Sequence, residues 1–264
     1  YALSLVGSDL DGPQATDPTR LLTEAEALPA EGVVGTKDAS SLLAAILADR
    51  RGLPGPSPDS VLAVQHKPTA RAVEREAVPE ATPRFALLDS TPPFPFPFFV
   101  KPVVGRLSQS AYRIDSTEDL LRLPGAAPDT QRYAEIVALA GGDPASVNGF
   151  LAEELLSGVE VTLEGYVHEG RVTVVGITDS VKYPGTHSFE RFEYPSALTP
   201  ERQAELLDCV ARDRRCDQER AGLDLDERHH AVDLDRPHHA REPVARRHAV
   251  AGRVTHGMRG QALH

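Results

Sequence analysis

The chain has 264 residues, of which 41% are apolar and 25% charged, enough to fill the core of one large domain or two ordinary ones and too apolar for disorder throughout. No apolar run approaches the roughly 18 to 20 residues of a membrane span, and nothing at the start reads as a basic-then-apolar leader, so a soluble, cytoplasmic protein is expected. Lys and Arg number 28 against 39 Asp and Glu, and a net charge of −11 argues against a phosphate backbone as main partner, so neither nucleic acid nor membrane is expected. Cys209 and Cys216 are too few for a disulfide framework, and their spacing does not match a zinc knuckle.

The chain opens on Tyr1 and not Met, and Tyr1-Ala-Leu-Ser-Leu-Val-Gly7 reads as the end of a buried strand, so preceding sequence is expected to be missing. Gly32-Val-Val-Gly35 is expected as a short strand leading into a helix. Asp38 or Ser40 can cap that helix, and Leu42, Leu43, Ile46 and Leu47 recur at helical spacing until Gly52 and Pro54 stop it. Ser57-Pro58 repeats the start signal for a short helix faced by Val61, Leu62 and Val64. Residues 1–64 therefore read as a partial α/β domain.

A second region, 65–208, follows. The Pro-rich stretch from Val78 to Pro97 should be extended, because proline and the residue before it both avoid helix. Phe98-Phe99-Val100-Lys101 is a compact apolar strand stopped by Pro102, and Ala111 to Ile114 is its partner across a Gly105–Ser110 loop. Helical patterns occupy about 116–123 and 130–140. Strands follow near 149–154, 158–167 and 171–181, the last two joined by His168-Glu169-Gly170. This region is α+β with an antiparallel sheet.

From Cys209 to His264 the composition changes abruptly. Seven of the ten His and eleven Arg fall there, while Lys, Ile, Phe, Tyr, Ser and Asn are absent. The stretch lacks a β-branched run and a helical apolar stripe, and it reads either as a disordered basic-acidic tail or as GC-rich DNA translated out of frame.

Two places could carry chemistry. Lys101 ends an apolar strand beside a loop holding Gly105, Ser108 and Ser110, whose N–H and hydroxyl donors suit phosphate oxygens. The bland alternative is a lysine reaching from the strand end to water. Glu153 and Glu154 lie on Phe150-Leu-Ala-Glu-Glu-Leu-Leu-Ser-Gly-Val-Glu160, a strand expected to be covered on both faces, where carboxylates need partners. Otherwise these acids sit on the solvent face of an ordinary meander.

In order along the chain, Gln65-His-Lys67-Pro-Thr-Ala-Arg71, Val78-Pro-Glu-Ala-Thr-Pro83, Phe98-Phe-Val-Lys101-Pro102 and Phe150 to Glu160 resemble the landmarks of the ATP-grasp carboxylate-amine ligases. The resemblance covers about Val33 to Asp208. It implies an ATP-grasp fold, α+β, behind a partial N-terminal α/β domain, with ATP held between two subdomains. By resemblance Lys67 and Lys101 are the two phosphate-binding lysines, and Gly105 to Ser110 the loop that closes over the phosphates. Glu153 would lie beside the adenine amino group, Glu154, Leu155 and Leu156 would form the hinge whose backbone reads the adenine edge, and Glu160 would accept from the ribose hydroxyls. Arg191, in Tyr183-Pro-Gly-Thr-His187-Ser-Phe-Glu-Arg191, is the candidate for a substrate carboxylate, its alternative being a surface pair with Glu190 or Glu193.

The implied activity is ATP-dependent carboxylate-amine or carboxylate-thiol ligation through an acyl phosphate, with ATP, a small carboxylate substrate and a homodimer of the kind such relatives often form. Magnesium is the cofactor implied. The Asn-x-Glu and Glu-x-Asn-x-Arg strands that would hold it are not found, and the last Asn is Asn148. A non-catalytic ATP-binding module, or a truncated or frameshifted product, is therefore the alternative. Two further ideas have less behind them. The His pairs at 229/230 and 238/239 suit zinc or nickel chemically, and a basic tail could serve an interaction protein.

Overall fold

A computed structural model describes residues 17–105, 110–124, 130–168, 171–186, 189–220 and 256–259. The expected strand at Tyr1–Gly7, the His pairs, His187 and the tail segments 221–255 and 260–264 lie outside the described residues. Tertiary contacts divide the chain into two compact units, residues 1–72 with 83–155 and residues 73–82 with 156–264.

The first unit begins with α1 (Pro18–Glu26), which the sequence reading missed although it carries a start signal. Asp17 accepts from the N–H groups of Thr19 and Arg20, and Pro18 occupies the first helical position. Residues 32–35, expected as a strand, are irregular instead. At Gly35 a Cβ would lie 2.4 Å from the Ser40 backbone, so the chain here is folded tightly against the start of the next helix. That helix, α2 (Asp38–Arg51), has Lys37 at its N-cap in place of the expected Asp38 or Ser40, and Ser40, in the first turn, accepts from the Lys37 N–H through Oγ at 2.9 Å. It ends on Gly52 at φ +61°, the left-handed cap glycine adopts at least cost. Ser57 caps α3 (Pro58–Gln65), again as expected. α4 (Lys67–Ala77) follows at once, and its residues divide between the two units after Ala72.

Four strands make the sheet of this unit: β1 (Phe85–Leu87), β2 (Phe98–Pro102), β3 (Tyr112–Ile114) and β4 (Phe150–Glu154), in the spatial order β1-β4-β2-β3 and antiparallel throughout. The β2–β3 hairpin is the one the sequence predicts. β1 is a short strand inside the Pro-rich stretch. Between β3 and β4 lie α5 (Thr117–Leu121), α6 (Gln131–Leu139) and a single 3-10 turn at Pro144–Val147. Leu21, Leu22, Leu42, Ile46, Val103, Ile136, Val137 and Val147 form one core, built where α1, α2 and α6 meet. Phe98, Val100, Ile114, Phe150 and Ala152 form a second on one face of the sheet.

The second unit holds β5 (Glu160–His168), β6 (Arg171–Lys182) and β7 (Phe189–Glu193), then α7 (Pro200–Arg220) and β8 (His256–Arg259). The strand order is β7-β6-β5-β8, antiparallel, with a bulge at Glu164/Gly165. Val161, Leu163 and Ile177 pack against Val210 of α7. α7 therefore runs beyond residue 208 into the stretch expected to lack packed elements, and β8 pairs within it. The architecture is α+β.

Leu42 is fully buried in the core of the first unit. Leu42→Ala should lower stability by about 2–5 kcal/mol, read as a fall in the urea midpoint at unchanged slope.

Candidate functional site

Alternation along β2 and β4 decides what meets on the face of the first sheet turned away from the Phe98 core. Phe98 and Val100 point into the core with Ala152, so Phe99 and Lys101 share the other face with Leu151 and Glu153. Phe99 stands directly opposite Glu153, and Lys101 opposite Leu151. Lys101 is thus a diagonal neighbour of Glu153, within reach of a long side chain.

The start of α4 is pinned to this strand. The Lys67 N–H donates to the Val103 carbonyl at 3.1 Å. His66 supplies the cap: Nδ1 accepts from the Thr69 N–H at 3.3 Å, and Nε2 lies 3.1 Å from the Ser146 carbonyl, so the tautomer protonated at Nε2 satisfies both. Arg71 lies one turn after Lys67 on the same helical face.

Together these elements build a cation cluster around one buried carboxylate. Glu153 Oε2 lies 2.7 Å from Lys101 Nζ and Oε1 accepts from Arg71 Nε at 2.7 Å, with the Glu153 side chain only 7% exposed. Lys67 Nζ donates to the Gly105 carbonyl at 3.0 Å. Burial alone would push the Glu153 carboxyl up, but the charges of Lys101 and Arg71 and their hydrogen bonds hold it below its ordinary value of 4.5. Lys67 is lowered too, but here the shift disfavours the charged form. Burial, joined by repulsion from Lys101 and Arg71, lowers it to about 8 against the weaker pull of Asp38 and Glu153. Three cations, Lys67, Arg71 and Lys101, thus gather around Glu153.

The remaining candidates fall elsewhere. Gly105 has φ +150°, a conformation that favours glycine, and Ser110 has φ +54°, while Ser108 lies outside the described residues. Glu154 pairs with Arg84 at 3.2 Å on the surface, and its own N–H donates to the Arg84 carbonyl. Leu155 ends one unit and Leu156 begins the other. Glu160, in the second unit, is held by Lys182 Nζ at 2.5 Å, with that ammonium also 5.8 Å from the Phe189 ring. Arg191, on the exposed strand β7, is paired with Glu190 at 2.9 Å and Glu193 at 2.6 Å, the surface arrangement named above as its alternative.

Sequence reasoning gave no role to Arg71 or Lys182. Arg71 carried a usable signal, its position one helical turn after Lys67. Lys182 carried only its rarity, one of four lysines in the chain.

The sign of the Glu153 effect makes a test. Its folded value lies below its unfolded one, so the stability it contributes is complete above about pH 4.5 and is lost as pH falls through the folded value. Glu153→Gln should make the loss of stability between pH 6 and pH 3 shallower than in the wild type, as urea midpoints would record.

No curated protein matches the sequence. The family model for the ATP-grasp domain matches residues 94–216. Among solved structures, the L-amino acid ligase of Bacillus licheniformis is similar at a TM-score of 0.56 and 18% identity, over 75% of this chain and 45% of that one. The biotin carboxylase domain of 2-oxoglutarate carboxylase from Hydrogenobacter thermophilus, in complex with MgADP, ADP and bicarbonate, is similar at 0.53 and 18%, over 76% and 45%. Biotin carboxylase from Campylobacter jejuni is similar at 0.50 and 15%, over 75% and 45%. This chain therefore spans less than half the length of each, and at these identities the likeness is one of fold. Residues 94–216 thus match the ATP-grasp domain, and the two antiparallel sheets and the similar solved structures give the chain an ATP-grasp fold.

Proposed function

We propose that the protein binds ATP and serves an ATP-dependent ligase that activates a small carboxylate for attack by an amine or thiol. The observation that carries the reading is the gathering of Lys67, Arg71 and Lys101 around the buried Glu153. Its cations stand on two elements whose residues resemble the phosphate-binding landmarks of the family, and a concentration of basic groups attracts phosphate oxyanions.

In this reading Lys101 and Lys67 act as point charges on phosphate oxyanions. Glu153 fixes Lys101 at the strand end. Each of its oxygens keeps a further lone pair, so a contact with an adenine amino group is compatible with both ion pairs. The reaction moves the γ-phosphoryl group of ATP to the substrate carboxylate, giving ADP and an acyl phosphate. The nucleophile then attacks the acyl carbon and phosphate leaves. The chain's residues neutralise and align the reacting groups, with no covalent intermediate on the protein.

Among the described residues no three His, Cys, Asp or Glu side chains are grouped to hold a metal ion. These residues therefore do not fit the pair of magnesium ions that the resemblance implies, and no step runs through a metal. No described helix is long and apolar enough to cross a membrane.

ATP at about 100 times its Kd should stabilise the protein by about 2.7 kcal/mol, and Lys101→Ala should weaken binding. Absence of ATP-dependent stabilisation in the wild type would remove the reading. ADP release that depends on an added carboxylate would support ligation, whereas binding with no release across a carboxylate panel would favour the non-catalytic module. Because Lys67 loses its proton near pH 8, ATP affinity should fall between pH 7 and pH 9. Lys67→Arg should flatten that fall in a calorimetric titration.

A further inference from the structure

On the sheet of the second unit, Val161, Leu163 and Ile177 point into the core with Val210, so Glu160 and Thr162 of β5 share the opposite face with Ser180 and Lys182 of β6. Val161 stands opposite Asp179, which puts Glu160 beside Ser180 and makes Lys182 its diagonal neighbour. Lys182 Nζ lies 2.5 Å from Glu160 Oε2. On its other side Lys182 stands opposite Phe189 of β7, with the ammonium 5.8 Å from the ring centroid. Phe192 packs on Phe189, the ring centroids 5.2 Å apart. These two rings are 39% and 59% exposed and belong to none of the three hydrophobic cores, so core filling does not account for them. With Lys182 they form a line of side chains that crosses three strands and ends on one carboxylate oxygen. A carboxylate has about four acceptor sites, and one ammonium fills one of them.

We propose that Lys182, steadied by the Phe189 ring, is a positioning residue for nucleotide recognition: it fixes the Glu160 carboxylate so that the remaining lone pairs accept from the ribose hydroxyls. The proposal rests on the ATP-binding reading above, with Glu160 as the ribose contact. An unheld glutamate would have its side-chain torsions ordered each time a nucleotide bound, and that cost would weaken the hydroxyl contacts. Here the ordering precedes binding, because diagonal placement on adjacent strands and the ring beside the ammonium restrict both members of the pair. Lys182 acts through the carboxylate and touches neither base nor phosphate, so its effect is confined to ligands that carry ribose hydroxyls.

The test is calorimetric titration of the full chain with ATP, 2′-deoxyATP, 3′-deoxyATP and inorganic tripolyphosphate. The proteins are the wild type, Lys182→Met, Lys182→Arg, Phe189→Leu, Glu160→Gln and the double variant Lys182→Met/Glu160→Gln. The wild type should prefer ATP to a deoxy analogue by about 10-fold or more, the worth of a hydrogen bond to a charged group. Lys182→Met should cut that preference to about threefold or less and leave tripolyphosphate affinity within about twofold, since only the hydroxyl contacts lose their pre-ordering. Lys182→Arg should keep most of the preference, because a guanidinium also pairs with a carboxylate and stacks on a ring. Phe189→Leu, a milder change, should lower the preference in the same direction. The double variant should bind ATP no more weakly than Glu160→Gln alone, because a residue that acts only through Glu160 then has nothing to position. Thermal midpoints measured alongside separate unfolding from weakened binding. An unchanged preference in Lys182→Met overturns the proposal. So does a loss of tripolyphosphate affinity equal to the loss of ATP affinity, which would put the ammonium on phosphate. A wild type that binds ATP and both deoxy analogues equally also overturns it and leaves ATP binding standing. A wild type that binds neither ATP nor tripolyphosphate overturns the reading and the proposal together.

Discussion

The buried carboxylate of Glu153 constrains everything around it. A glutamate placed on a strand covered on both faces cannot remain charged without partners, and a neutral one would give up the ion pairs to two basic groups beside it. The sheet supplies one partner by register, because antiparallel pairing sets Lys101 diagonally across from it. The helix supplies the other, because Arg71 follows Lys67 by one turn. Strand register, helix start and charge balance are therefore one requirement. The hydrogen bond from the Lys67 N–H to the Val103 carbonyl fixes the helix relative to the strand and so keeps the two cations on the same carboxylate.

The same constraint explains which parts of the molecule are legible in sequence. The hairpin of β2 and β3 and the helices α2 and α3 rest on local chemistry: Pro102 after an apolar run, Ser57 before Pro58, Gly52 after a helical stripe. Such signals lie within a few residues of the feature they specify. The cluster does not. Glu153 is separated from Arg71 by 82 positions, and no periodicity connects residues that meet only after β4 has joined β2. A resemblance brought Lys67, Lys101 and Glu153 together in advance, but it assigned Glu153 to adenine and left its partners unnamed.

The expected strand at 32–35 was misread for a different reason. Two valines between glycines satisfy a strand pattern, yet the space at Gly35 is filled by the backbone of Ser40, a tertiary contact that propensity does not report. α1 was missed in the opposite direction, since Asp17 and Pro18 form a start signal that an argument about composition passes over. In the second unit α7 is held by Val210 against Val161, Leu163 and Ile177, although its composition beyond Cys209 is dominated by charge. Leu206 and Leu207 join Val210 at helical spacing, so a short apolar stripe in the first half of the helix docks it on the sheet.

The chain has only four lysines, Lys37, Lys67, Lys101 and Lys182, so each ammonium can be followed separately. Lysine labelled with carbon-13 at the ε position, observed by NMR while ATP is added, tests the central claim most directly. Lys37, at the cap of α2, provides the internal reference. The account predicts that the Lys67 and Lys101 resonances shift saturably with ATP and with tripolyphosphate while that of Lys37 stays in place. Saturating ATP that leaves both Lys67 and Lys101 unmoved would contradict it.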